Sequence, residues 1–405
     1  MPAVPTAVPA LQWSRRLGSP VYAQPVISGG LVYVTTWDGR LVAMDRYGAA
    51  VWVRRFGARH FPASNVCGLT DVGIGASPVV GRIGSRAVVW TPTPHGDIAA
   101  LDANTGEPIW QTRITNQLGA FVWSSPLLSG DSLYVGIASI GDCPEATGRI
   151  VRIEPRNGAV RAELSLVPPS CDGAGVWGSI SVIDGRLFLA TGNSLHCLQA
   201  EPYAEAVVEL DPGTLQIRQS WQSPLTGSVQ HDRDFGSTPV RLTTAMSGRS
   251  RDLIAVTSKD GNLYLLDRRA IAAGPVSTIH LANPEDRPEI GGGSISSAFW
   301  DGKTLFAAGG AYGAGRTCKG SVLRVGPEME TPQWRDCLDG PVLAALVGGH
   351  GRVFVAGGRS LYLVGDDGRI VWKVTFGSAI YCPPTLAQGG FIIADSSGEV
   401  RLYSY

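Results

Sequence analysis

Four short stretches in the middle of the chain carry residues suited to proton transfer, cation binding and ring stacking. They are Gly173-Ala-Gly-Val-Trp177-Gly-Ser, Leu187-Phe-Leu-Ala-Thr-Gly-Asn193, His231-Asp-Arg-Asp234-Phe-Gly-Ser and Ile254-Ala-Val-Thr-Ser-Lys259-Asp-Gly-Asn. A carboxylate such as Asp234 can take a proton from a hydroxyl. A hard cation wants several oxygens, and a Gly-Asn corner presents one without a clash. A lysine can stabilise negative charge as it develops, and an indole offers a large flat π surface. Each residue also has a plainer reading. Asp234 would be a loop carboxylate paired with Arg233 or His231, Asn193 a turn stabiliser, Lys259 a solvent-facing hairpin residue and Trp177 a packing residue. Only four lysines stand against 30 arginines, which by itself says nothing about use.

Composition narrows the partners. The 34 basic and 34 acidic residues cancel and charged residues make up 17% of the chain, so no electrostatic footprint for nucleic acid is present. Apolar runs such as Val342 to Val347 fall far short of the roughly 18 residues of a membrane span. The N-terminus has neither a basic segment nor an apolar one of the kind a signal peptide needs. Seven cysteines nevertheless favour a periplasmic or secreted protein whose leader is not in the chain. Cys143 with Cys171 and Cys318 with Cys337 flank loops in a way that suits disulfides, leaving Cys67, Cys197 and Cys382; the alternative is seven buried thiols. No C-x-x-C or Cys/His cluster of zinc spacing occurs.

The elements that must position these residues come from a repeat. Leu31-Val-Tyr-Val-Thr-Thr-Trp-Asp-Gly-Arg-Leu-Val-Ala-Met-Asp45 is followed by a turn and Ala50-Val-Trp52, and Ile98-Ala-Ala-Leu-Asp102 is followed by Pro108-Ile-Trp110. Aligning the residue after the second of these strands gives Asp45, Asp102, Glu154, Asp211, Asp267, Gly326, Gly365 and Ser404, which lie 39 to 59 residues apart. An earlier strand opens on a small-residue and proline signal, as at Ala76-Ser-Pro-Val79 and Ser125-Pro-Leu127. Four strands per unit at this period predict an all-β, eight-bladed β-propeller of four-stranded antiparallel blades spanning 1–405 as one domain, with 1–10 as a disordered tail. The last unit ends at Tyr405 without an outer strand, while the chain begins with one, Leu11-Gln-Trp13-Ser-Arg-Arg-Leu-Gly18. The N-terminal strand is therefore expected to complete the last blade and close the ring. Trp13, Trp52, Trp110, Trp221, Trp334 and Trp372 read as anchors between blades.

The repeat, written L-x-A-L-D-x-x-T-G-x-x-x-W, resembles that of the pyrroloquinoline quinone (PQQ) propellers. That family includes quinoprotein alcohol dehydrogenases, polyvinyl alcohol dehydrogenases and non-catalytic outer-membrane assembly scaffolds. The resemblance covers nearly the whole chain and implies roles for the four stretches. Trp177 would be the floor under the quinone, and Asn193 a calcium ligand. Asp234 would be the catalytic base and a further metal ligand, and Lys259 the cation that contacts the quinone oxygens and supports its reduction. A third ligand is expected from Val135-Gly-Ile-Ala-Ser-Ile-Gly-Asp142-Cys-Pro-Glu145, with Asp142 first and Glu145 second. The implied cofactors are PQQ and Ca2+, and the implied reaction is oxidation of an alcohol or sugar-like hydroxyl. A separate electron acceptor such as a cytochrome c would be needed, since no C-x-x-C-H haem motif is present. The chain departs from the family in lacking the adjacent cysteine pair, Cys67 standing alone in Ser64-Asn-Val-Cys-Gly68, and in lacking a match for the arginine that accompanies that pair. These departures fit the polyvinyl alcohol dehydrogenase-like branch better than the methanol type. The rival expectation is a non-catalytic propeller that binds protein or polysaccharide through the insertions Gly141 to Gly148 and His196 to Ala204. A glycosidase would need converging carboxylates, which the placement of Asp71, Asp142 and Asp234 in the sequence does not indicate.

Overall fold

A computed structural model describes residues 8–61, 70–141, 144–195, 197, 201–224, 232–314 and 318–405. In most repeats the second and third strands are largely apolar and buried while the fourth is the more exposed. Leu41 to Met44 are all buried, for example, whereas Ala50–Arg55 exposes every second residue or more. A strand that is apolar on both faces needs cover on both. Radial stacking supplies it, with each small sheet sandwiched between two others. The result is eight four-stranded antiparallel blades. Blade 1 is built from Val26–Ser28, Leu31–Thr35, Arg40–Met44 and Ala50–Arg55. Blade 8 is built from Thr385–Ala387, Gly390–Ala394 and Glu399–Ser404, completed by the N-terminal strand Ala10–Arg16. The ring closes as expected, through pairs such as Arg16 with Glu399 and Ser14 with Arg401. Residues 1–7 of the expected tail lie outside the described residues, and Ala10, its last residue, already belongs to the closing strand.

The repeated aspartate is a turn-closing residue. Asp45 Oδ1 accepts from the N–H groups of Tyr47 and Ala49 at 2.8 and 2.9 Å, and Asp102 and Asp211 do the same for their own turns. Several of these turns also receive the tryptophan of the preceding blade, whereas the Asp211 turn is met by the Tyr134 hydroxyl, which donates to Pro212 O. The indole N–H groups of Trp13, Trp52, Trp110 and Trp334 donate to the backbone oxygens of Arg46, Ala103, Pro155 and Asp366. A left-handed glycine makes room for the ring: a Cβ on Gly106, at φ +73°, would lie 2.6 Å from Trp52. Trp221 and Trp372 pack on Tyr264 and Tyr403 of the following blades, with centroids 5.0 and 5.4 Å apart.

First strands of neighbouring blades touch one another, so they line the axis. In a four-stranded meander the loop into the first strand and the turn between the second and third then emerge on the same face of the ring. Three additions decorate that face. Arg59–His60 pairs with Asp71–Val72, Ala120–Phe121 adds to Ser132–Ser139, and Asp172–Gly173 pairs with Ser194–Leu195.

The Asp172–Gly173 ladder corrects one expected disulfide. It brings residues 171 and 197 side by side, and Cys171 is bonded to Cys197 (Cα–Cα 4.8 Å), not to Cys143. Cys143 and Cys67 lie outside the described residues, while Cys318–Cys337 forms as expected. Cys382 is a buried thiol, its pKa pushed up to about 12 mainly by burial, and is correspondingly unreactive.

Candidate functional site

Blades 3, 4 and 5 supply the residues of one cleft. Blade 3 consists of Leu127–Ser129, Ser132–Ser139, Arg149–Ile153 and Val160–Ser165; blade 4 of Ser181–Ile183, Arg186–Ala190, Ala206–Leu210 and Ile217–Gln222. Blade 5 consists of Val240–Met246, Arg249–Thr257, Asn262–Asp267 and Pro275–His280. Trp123, Trp177 and Asp234 lie on the loops entering the first strands of blades 3, 4 and 5. Glu145, Asn193 and Lys259 lie on the connections between their second and third strands. All six therefore emerge on one face, and all six line a cleft of about 220 Å³. Its wall is built close: Gly192, whose N–H donates to the Gly175 carbonyl oxygen at 2.9 Å, and Gly236 behind Trp177 have no room for a side chain. A Cβ on Gly236 would lie 2.1 Å from the Trp177 ring, and one on Gly192 would lie 3.1 Å from both Asp234 carboxylate oxygens.

Electrostatics centre on Asp234. Its carboxylate is buried, accepting the Asn193 backbone N–H at Oδ1 and the Lys259 ammonium at Oδ2, 3.1 Å away. Lys259 Nζ also lies 2.6 Å from Asp232 Oδ2 and 5.3 Å from the Trp177 ring centroid. The three charged side chains are 14, 10 and 18% exposed for Lys259, Asp234 and Asp232. Burial pushes the Asp234 carboxyl well above the usual carboxylate range; Lys259 opposes this and Asp232 adds to it. Burial pulls Lys259 down, but the two carboxylates outweigh it and hold the ammonium above the usual lysine range. A buried carboxyl with a raised pKa, hydrogen-bonded into a cleft, is the usual setting of a general base.

Several plainer sequence readings do not fit this geometry. Arg233 pairs with Glu205 rather than Asp234, and His231 lies outside the described residues. Lys259 is mostly buried rather than solvent-facing. The Asn193 side-chain amide makes no hydrogen bond among the described residues, although its backbone is tied at both N–H and C=O, so turn closure does not occupy it. Trp177 lines the cleft while its ring also packs on Gly236 of the loop entering blade 5, and its indole N–H is buried with no partner among the described residues. Asp142, the first choice for a third oxygen ligand, lies outside the described residues, whereas Glu145, the second choice, is buried in the cleft wall. Two contributors went unpredicted. Asp232 stands inside a motif read only for Asp234. Trp123 carries the same signal as Trp177: Val122-Trp123-Ser-Ser and Val176-Trp177-Gly-Ser both precede a first strand.

The Cys171–Cys197 bond clamps the Trp177 loop to the Asn193 turn. Converting both cysteines to serine is expected to cost about 2–4 kcal/mol and to speed amide exchange at Asp172 and Leu195, whose segments pair directly beside the bond. Unchanged exchange and an unchanged Tm would show that the hairpin needs no clamp.

A family model described as outer membrane protein assembly factor BamB matches residues 7–120, 77–270 and 318–405. The polyvinylalcohol dehydrogenase of a Pseudomonas sp is 23% identical over 445 residues, covering 96% of this chain and 66% of that protein. BamB of Burkholderia pseudomallei (strain K96243) is 26% identical over 196 residues, 45% of this chain and 46% of that protein. The chain thus spans less than two thirds of the length of either relative. Among solved structures, a europium-containing methanol dehydrogenase superposes with a TM-score of 0.78 at 14% identity, over 100% of this chain and 95% of that one. At that identity the likeness speaks for the fold.

Proposed function

We propose, from the premise that this chain belongs to the PQQ-repeat β-propeller family, that it oxidises an alcohol or sugar-like hydroxyl with PQQ and calcium held in the cleft of blades 3 to 5. The observation that carries this reading is the donor set. Glu145, Asn193 and Asp234 bring carboxylate, amide and carboxylate oxygens to one cleft, the combination a hard cation of calcium's kind takes. The cleft also suits a planar acceptor group, because the Trp177 indole has a buried N–H with no partner among the described residues and the glycines at 175 and 192 line it without side chains.

When bound, PQQ supplies a two-electron acceptor and calcium the Lewis acid that polarises its carbonyl. The chain's own residues do the rest. Trp177 orients the flat ring by stacking. Asp234 takes the hydroxyl proton, its burial raising its affinity for that proton. Lys259, fixed by two carboxylates, holds positive charge where negative charge develops on reduction. Reoxidation would fall to a separate one-electron acceptor such as a cytochrome c, and the setting would be periplasmic or extracellular.

The test is calorimetric titration of chelator-stripped protein with PQQ, with and without calcium. Tight binding that needs calcium and weakens at least tenfold in Asn193→Ala is expected. The family's own description favours a second reading, a non-catalytic scaffold; absence of binding at high micromolar PQQ would select it.

A further inference from the structure

Trp123 belongs to two structures at once. On one side it lines the cleft; on the other it begins a row of aromatic rings that crosses the same face of the propeller to blade 8. Trp123 stacks with Trp37 at 5.8 Å and an interplanar angle of 22°. Trp37 meets Tyr22 at 5.0 Å, and Tyr22 meets Tyr381 at 5.3 Å. Trp37 lies on the turn between the second and third strands of blade 1; Tyr22 and Tyr381 lie on the loops entering blades 1 and 8. The repeat therefore delivers all four to one face.

None of these rings is a packing anchor of the interblade kind. All four are half-buried: Trp37 and Trp123 rest on a small buried cluster of Phe61, Val72, Phe121 and Ile140, with the rest of each ring outside it. Trp123 is fixed by its N–H bond to Ser139 O at 2.9 Å. The polar tips of Trp37, Tyr22 and Tyr381 make no hydrogen bond among the described residues, and none is sealed from solvent. Buried Trp and Tyr normally satisfy these groups within the fold. Here two near-parallel indoles are followed by two phenols set edge-on, at interplanar angles of 85° and 84°, with open donors along the row. The phenols of Tyr22 and Tyr381 keep their protons: burial raises both, with Tyr381 adding at Tyr22 and Glu289 at Tyr381. Of the flanking acids, Asp38 is paired with Arg40 at 2.7 Å and Asp71 is hydrogen-bonded to His60 at 3.2 Å, while Glu289 beside Tyr381 is exposed and has no ion pair among the described residues.

We infer that this ledge binds a neutral, extended glycan. Linked pyranoses present apolar C–H faces to the rings and hydroxyls to the indole and phenol donors. A protein partner would want a flatter, more exposed apolar patch than four half-buried rings. A polyanion would be repelled by Glu289 beside Tyr381, and a polycation would want more than this one unpaired acid. Because Trp123 is shared, the chain would run toward the cleft, and its oxidation there rests on the function proposed above; the binding itself does not.

The experiment is calorimetric titration of the full chain, free of cofactor, with xylohexaose and cellohexaose. At least one hexaose should bind, its disaccharide more weakly. Trp37→Ala should raise the hexaose Kd about tenfold or more, the loss of one stacking and hydrogen-bonding partner, while PQQ affinity stays as in the parent. Should Trp37→Ala fail to fold, the double variant Tyr22→Phe/Tyr381→Phe keeps the rings, removes the donors and should still weaken binding several-fold. No hexaose binding, or binding untouched in a folded variant, overturns the ledge whatever PQQ does. Hexaose binding without PQQ affinity supports the ledge and removes only the catalytic reading.

Discussion

Asp234→Asn is expected to lower turnover of the PQQ- and calcium-loaded protein by about 10²–10⁴-fold, the usual worth of a positioned general base, at saturating calcium. The substitution keeps volume and an oxygen for the Asn193 N–H, and it leaves Lys259 its second partner, Asp232. What disappears is the negative charge that accepts the proton. Asp234 is also a proposed cation ligand, so the calcium dependence must be measured alongside the rate. A deficit that persists once calcium saturates belongs to proton transfer, whereas one that calcium abolishes belongs to the metal. Asp232→Asn is the informative companion. It removes the other carboxylate beside Lys259 without altering the cleft lining, so its effect on turnover should be much smaller. Equal losses in the two variants, or turnover kept in Asp234→Asn, would remove Asp234 from the role of base.

Eight blades are legible in the sequence because the physics of each is local and repeated. A turn-closing aspartate, a left-handed glycine and a tryptophan reaching the next turn recur at fixed offsets, and strands apolar on both faces can be satisfied only by neighbours on both. The site is legible only in part. Asn193, Asp234, Lys259 and Trp177 sit in recognisable stretches, and the ring places each at the same end of its blade. What one stretch cannot reveal is which partner arrives from another. Lys259 is shared by Asp232 and Asp234 across 27 and 25 residues of sequence. The Cys171–Cys197 pairing depends on a two-residue ladder that no periodicity announces. In the blade 3 insertion, Asp142 and Glu145 are only three residues apart, and spacing alone does not tell which faces inward.

Lys259→Met should be the most destabilising single change in the site, and calcium should reverse part of it. The ammonium is the cation seen at both the Asp232 and Asp234 carboxylates, in a cluster that is at most 18% exposed. Removing one partner of a buried pair costs about 3–5 kcal/mol because the charge left behind stays desolvated. With an unfolding entropy of about 2.1 cal/mol/K per residue, a 3 kcal/mol loss (~3, at the low end) lowers the Tm of a chain this long by about 4 °C if the ring unfolds as one unit. In the parent protein, calcium entering beside Glu145, Asn193 and Asp234 meets a lysine already in place. In Lys259→Met it meets two uncompensated carboxylates. Saturating calcium should therefore raise the Tm of the variant by more than that of the parent, and magnesium, which gives up its waters reluctantly, should do less. The readout is thermal unfolding alone, with no quinone and no turnover. Equal calcium shifts in the two proteins would place the cation away from Asp234, and with it the donor set on which the catalytic reading stands.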